Sequence, residues 1–307
     1  MQTITLGAVE ITRVVEWHAP MGPAAAVFPG LTPDKWEEHA AWLVPDFWDP
    51  EQDTFSVNVQ TWVLRSGGMT VLVDTGVGND KERPHMPAWT HLRTGYLDRL
   101  ATAGVRPEDV DVVVNTHLHP DHVGWNTRLV DGEWVPTFPN ATYLIPRSDF
   151  DHWNPAEDRP RRGTLGDVTV EQICGSMFED SILPVHRAGR AVLWEGERRR
   201  IDSALTLEAA PGHTPGSCVV RLESGTDRAL FAGDMMHTPL QFAEPDCDTC
   251  LSEDQAGAVR TRRRLLEQAA DTGTLVFPGH FPGHGGAEVR REGSAFAIAR
   301  WAPFDRT

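Results

Sequence analysis

Three imidazoles and a carboxylate are concentrated in the run Thr116-His117-Leu118-His119-Pro120-Asp121-His122. Histidine occupies 13 of 307 positions, so an H-x-H-x-D-H run arises by chance on the order of twice in a thousand chains of this length. Neutral imidazole is the commonest metal ligand, and an unpaired buried cluster of this kind is costly. The chemistry indicated is therefore metal binding. Further ligand types occur downstream at His213, Asp234 and His280. His117, His119 and His213 would give one ion three nitrogens and leave a position for water. Asp121, His122 and His280 could serve a second ion, with Asp234 bridging the two through its pair of oxygens. Nitrogen and carboxylate donors without thiolate favour two Zn²⁺ per chain and would accept Co²⁺, Mn²⁺ or Fe²⁺.

These residues need elements that deliver them to one place. Val110 to Val114 reads as a buried strand ending at the histidine cluster. The same arrangement recurs where Leu205 to Ala209 runs into Pro211-Gly-His213, Ala229 to Ala232 into Gly233-Asp234, and Leu275 to Phe277 into Pro278-Gly279-His280. Earlier, residues 8 to 15 read as an opening strand, and Phe55 to Leu64 with Met69 to Val73 as a hairpin around Gly67-Gly68. Helices are expected at 147 to 153, 170 to 183 and 253 to 270. Another is expected from Thr90 through Leu92, Tyr96, Leu97 and Leu100, ending at Gly104. Residues 17 to 54, rich in Pro and Trp, form an insertion with one short helix near Pro33 to Leu43 capped by Thr32. It reads as a lid, a dimer arm or a packed surface loop. The whole is one α/β unit, a single domain over 1–307, with two sheets and helices outside.

The set resembles the metallo-β-lactamase superfamily across residues 55 to 282, with its five ordered motifs: Asp74 in Val73-Asp-Thr-Gly76, the His117 to His122 cluster, His213, Asp234 and His280. That resemblance implies an αββα sandwich, a dinuclear site, and a role for Asp74 in orienting the ligands from behind. His284, in Pro282-Gly-His-Gly-Gly286, rivals His280, but His280 directly follows a strand as the family motif does. Asp234 argues against the β-lactamases proper. Thr116-His-Leu-His-Pro-Asp-His-Val-Gly-Trp-Asn-Thr127, Gly233-Asp-Met-Met-His-Thr-Pro-Leu-Gln241 and Thr261-Arg-Arg-Arg-Leu-Leu266 look like the branch of N-acyl-homoserine lactonases and methyl-parathion-type hydrolases. The implied reaction is attack of a metal-bridging hydroxide on the carbonyl of a lactone or carboxylic ester, with phosphotriester hydrolysis on the same site as the alternative. Asp121 would pass a proton to the departing alkoxide. His237, three residues after Asp234, would face the substrate. No G-x-S-x-G nucleophile motif competes. Tyrosine occurs only at 96 and 143, so the active-site tyrosine of some lactonases is absent or replaced by His237 or a Trp. Branch members are commonly homodimers.

Charge narrows the partners. Lys plus Arg number 28 against 44 Asp plus Glu, a formal charge of −16, which repels nucleic acid and anionic membranes. Arg198-Arg199-Arg200 and Arg262-Arg263-Arg264 are expected as solvated faces or ion pairs. No signal-like or 18-residue apolar segment is visible, so a cytoplasmic enzyme is expected. The four cysteines suit a reducing compartment, and Cys247-Asp-Thr-Cys250 reads as ordinary thiols or a local disulfide.

Overall fold

The runs richest in valine and leucine become the central strands of two sheets in the computed structural model, which describes residues 2–306. The first sheet has eight strands, ordered Thr3–Leu6, Val9–Pro23, Thr54–Ser66, Met69–Val73, Val112–Val114, Thr142–Pro146 and Ala191–Trp194, with Trp48–Asp49 paired onto Thr54–Ser66. From Met69–Val73 onward its strands are parallel. The second has seven, ordered Arg198–Arg200, Leu205–Ala209, Cys218–Ser224, Asp227–Gly233, Leu275–Pro278, Ala287–Glu292 and Ala295–Trp301. Only Asp227–Gly233 and Leu275–Pro278 pair in parallel there.

Three apolar layers show why the strands stack. Val9, Trp62, Val71 and Val112 of the first sheet meet Leu207, Val220, Phe231 and Phe277 of the second. Each such side chain contributes ~1.5–3 kcal/mol on leaving water. Outside the first sheet, Val63, Leu72 and Val113 pack against Tyr96, Leu100 and Phe150 of the helices Tyr96–Thr102 and Arg147–Trp153. Outside the second, Val219 and Val276 meet Leu265, Leu266 and Ala269 of the helix Gln255–Thr272. This is an αββα sandwich, the metallo-β-lactamase fold. Among the described residues no helix is long and apolar enough to cross a membrane.

Several local expectations are corrected. The opening strand continues to Pro23, so residues 17 to 23 belong to the sheet and not to the insertion. Two helices, Pro33–Glu38 and Ala40–Leu43, replace the single one because His39 leaves helical geometry at φ −106 and ψ 8, and Thr32 makes no side-chain cap. The insertion is packed down: Phe28, Trp36, Phe47 and Trp48 share a core with Val219 and Val276. The helix expected from Thr90 starts at Tyr96, since His91 is left-handed at φ 51 and the Leu92 carbonyl accepts the Asp80 N–H. The segment 170 to 183 breaks at Gly175, φ 47, into Val170–Cys174, a π-helical Phe178–Ile182 and Leu183–Arg187. All four cysteines are free, so the Cys247–Cys250 disulfide does not form.

The arginine runs divide. Arg198 and Arg264 both reach Glu208, and Arg263 pairs with Asp246, as ion pairs were expected to. Arg262 also forms an ion pair, but away from solvent. It is fully buried, donating to the carbonyls of Met235, Pro245 and Cys247 and pairing with Asp248.

Candidate metal centre

Each ligand-type residue stands where a strand gives way to a loop. After Val112–Val114 the chain places His117, then His119 at the start of the short helix Pro120–Val123, with Pro120 in its first turn. His122 closes that turn through its N–H to the His119 carbonyl at 3.0 Å, while its own carbonyl accepts the Thr75 N–H at 2.8 Å. His213, Asp234 and His280 follow Leu205–Ala209, Asp227–Gly233 and Leu275–Pro278. Gly233 precedes the aspartate at φ 50, and a Cβ there would lie 2.6 Å from Thr116 Oγ1. Only glycine allows both that backbone and that approach.

The two sheets thereby bring these side chains to one buried point. Ligand atoms of His117, His119, His213 and Asp234 lie within 4.8 Å of one another, as do those of Asp121, His122 and His280, and of Asp234, His237 and His280. Asp234 stands between the groups. Its Oδ2 is 3.4 Å from His213 Nε2 and 3.7 Å from His117 Nε2, its Oδ1 is 3.2 Å from His122 Nε2, and His280 Nε2 reaches both oxygens, at 3.1 Å from Oδ1 and 3.2 Å from Oδ2. Asp121 Oδ2 is 3.4 Å from His280 Nε2 and 3.8 Å from His122 Nε2. His237 Nε2 is 3.0 Å from Asp234 Oδ2.

The rings are held from behind. Asp74, left-handed at φ 59, puts Oδ2 2.9 Å from His122 Nδ1 and accepts the Thr116 N–H and hydroxyl, both at 2.8 Å. His117 Nδ1 lies 3.1 Å from the Thr116 hydroxyl, and His213 Nδ1 lies 3.2 Å from that of Ser252. His280 Nδ1 donates to the Asn58 carbonyl at 2.8 Å. Such partners orient imidazole ligands.

Electrostatics and unmet hydrogen bonds test whether a cation fits. Burial holds His117 and His119 well below the usual imidazole range, so their lone pairs stay available. Burial pushes His122 the same way, but Asp234, Asp74 and Asp121 outweigh it and hold the ring well above that range. Burial opposes ionisation of Asp234, yet His122, His280 and His237 keep its carboxyl well below the usual value. His117 Nε2 and Asp234 Oδ1 are buried without a hydrogen-bond partner. His122 Nε2 and His280 Nε2 are 3.1 Å apart, as are His119 Nδ1 and His213 Nε2. That spacing is close to the edge of a tetrahedral site with bonds of about 2.0–2.1 Å. The nitrogen and oxygen donor set fits a divalent transition metal.

The cluster floors a cleft. Phe55, Val57, Met86, Trp89, Val170 and Ile173 are among the residues of its walls. Sequence reasoning missed these walls, because their apolar residues look like any core. Asn58 and Ser252 were missed too, each supplied by an element remote in sequence from the imidazole it holds. His237 borders the cleft, as does Asp121. His284 is elsewhere, with Nδ1 2.7 Å from the Phe304 carbonyl. Both tyrosines are buried in structural bonds, Tyr96 with Thr61 at 2.7 Å and Tyr143 with the Asn126 carbonyl at 3.2 Å.

Comparison with known proteins agrees with this architecture. "Metallo-beta-lactamase domain-containing protein 1" of Homo sapiens is 30% identical over 214 residues, covering 69% of this chain and 58% of that protein. "N-acyl homoserine lactonase AttM" of Rhizobium radiobacter is 38% identical over 195 residues, covering 61% of this chain and 64% of that protein. The chain thus spans less than two thirds of the length of these relatives. Among solved structures, AidC, described as a dizinc quorum-quenching lactonase, superposes with a TM-score of 0.77 at 21% identity, covering 99% of this chain and 97% of its own. The hydrolase AbOPH superposes at 0.75 with 23% identity, over 99% and 97%. Residues 54–280 match the sequence profile of the Metallo-beta-lactamase superfamily, and the chain belongs to that superfamily.

Proposed function

We propose that this protein is a dinuclear, zinc-dependent hydrolase acting on a neutral lactone or carboxylic ester. His117, His119 and His213 would hold one ion, Asp121, His122 and His280 the other, and Asp234 both. The observation that carries the reading is the position of Asp234 between the two groups, Oδ2 toward His213 and His117, Oδ1 toward His122, and His280 in reach of both oxygens. When bound, the ions would supply Lewis acidity and bring the pKa of a captured water toward neutrality.

The remaining work falls to the chain. The apolar walls around Val57, Met86 and Ile173 would hold an acyl group and exclude water, and among the described residues no lysine or arginine lines the cleft to favour an anionic substrate. Asp121, less buried than the imidazoles, would hand a proton to the departing alkoxide. His237, buried beside Asp234, would hold the carbonyl end of the substrate. The likeness to relatives named N-acyl homoserine lactonase supports a lactone substrate.

The test joins metal analysis to a substrate panel. Protein purified without chelator is expected to carry close to two equivalents of transition metal. It should hydrolyse members of a set comprising acyl-homoserine lactones, simple γ- and δ-lactones and aryl esters. Asp234→Ala should abolish that turnover with the fold retained. Turnover confined to paraoxon-type triesters would move the target from carbon to phosphorus, and metal-loaded protein inert to the whole panel would overturn the reading.

A further inference from the structure

A carboxylate that touches none of the rings joins the two loops bearing the three-imidazole group. Asp149, in the helix Arg147–Trp153, is fully buried. Its Oδ2 accepts the Leu118 N–H at 2.9 Å and the Thr214 hydroxyl at 2.8 Å, and its Oδ1 accepts the Gly216 N–H at 2.5 Å. Leu118 stands between His117 and His119, and Thr214 follows His213. One loop leaves the first sheet and the other leaves the second. The approach is close enough that a Cβ at position 216 would lie 2.6 Å from the Asp149 nitrogen and 2.7 Å from Oδ1.

We propose that Asp149 is a positioning residue that sets the separation of the His117–His119 loop from the His213 loop, so that these three imidazoles close on one ion. The proposal rests on the metal reading above. Its distinctive content is asymmetry. His122 and His280 are oriented by other groups, the Asp74 carboxylate and the Asn58 carbonyl, at 2.9 and 2.8 Å. Loss of Asp149 should therefore loosen one half of the cluster and spare the other. An amide makes the change at nearly constant size. Asn has one acceptor oxygen where Asp has two, so its NH₂ must face a donor from one of the loops.

The experiment is a metal titration of metal-free wild type and Asp149→Asn with Co²⁺ and Zn²⁺, together with imidazole NMR of the metal-free proteins. The variant should bind one equivalent about ten- to a hundredfold more weakly, in the range for lost ligand-orienting partners, and the other within about twofold of wild type. Without metal, the ring resonances of His117, His119 and His213 should move while those of His122 and His280 hold. A folded variant with both affinities unchanged, or with both weakened equally and the metal-free melting temperature lowered, overturns the proposal. Should wild type bind no ion, the metal reading fails by itself, and the metal-free spectra still decide whether Asp149 sets the loop spacing. If Asp149→Asn does not fold, Thr214→Val removes one of the three bonds and should weaken the same equivalent about threefold or more; no change there also overturns the proposal.

Discussion

The Glu16 carboxylate accepts a 2.6 Å hydrogen bond from the Trp125 indole N–H, both groups buried. Glu16 is the residue bypassed where pairing jumps from Val15↔Gln60 to Trp17↔Val59. Such a bulge re-aims a side chain. Here it also sends the carboxylate to the Val77 N–H at 2.6 Å and the Thr94 hydroxyl at 3.1 Å. Gly76, at φ 61, leaves the necessary space, since a Cβ there would lie 2.0 Å from Glu16 Oε2. The segment so fastened begins at Asp74, the partner of His122.

Trp125→Phe should therefore destabilise the protein beyond the loss of a ring contact. It strips a buried carboxylate of one donor, which costs about 1–3 kcal/mol. The matching fall in melting temperature is roughly 2–5 °C for a chain of this length. Urea denaturation of both proteins measures it, and an unchanged midpoint would remove Glu16 from the support of the Asp74 loop.

His237→Phe separates substrate handling from metal binding. As a group acting on the substrate, its loss should lower kcat by on the order of 10²-fold while metal content stays at the wild-type value. A drop of one equivalent would instead make His237 a ligand, which its grouping with Asp234 and His280 would also allow.

Acyl chain length should read out the cleft. Each methylene buried is worth ~0.8 kcal/mol, so kcat/KM should rise about fourfold per carbon until the space is full. Ile173→Trp, in the wall, should cancel the gain for the longest chains and spare the shortest. A flat series in wild type would place the acyl group outside the cleft.

Acid stability should depend on Glu208. Burial pushes its carboxyl up, but hydrogen bonds from Arg221 and Arg264 and the charge of Arg198 outweigh this and hold it at about 2, below the usual 4.5. Between those values the unfolded chain binds the extra proton, so stability from this group is complete above 4.5 and is lost as pH falls toward 2. Melting temperatures across that window should decline less steeply for Glu208→Gln, and the variant should already melt lower at pH 7.

Legibility in the sequence followed the range of each cause. Val112–Val114 and Leu275–Pro278 announce themselves by composition, and the ligand-type residues directly follow them, so the cluster could be assembled on paper. The bulge at Glu16 depends on the partner strand, and the burial of Arg262 depends on three carbonyls from the segment 235–247. Asp149 lies in an ordinary short helix whose bounds were readable, but its partners at 118, 214 and 216 were not. The helix expected from Thr90 begins only at Tyr96 because apolar spacing persists through a loop stitched by Asn79, whose side chain accepts the Thr94 N–H at 2.8 Å.

His117, His119 and His122 come from one sheet, and His213, Asp234 and His280 from the other. A cation shared across that seam is a reversible cross-link, so the lifetime of the folded chain becomes a gauge of ion supply. At a free concentration a hundred times the dissociation constant, one site adds about 2.7 kcal/mol. On the metal reading proposed above, starvation for that metal would silence the protein and also expose it to proteolysis.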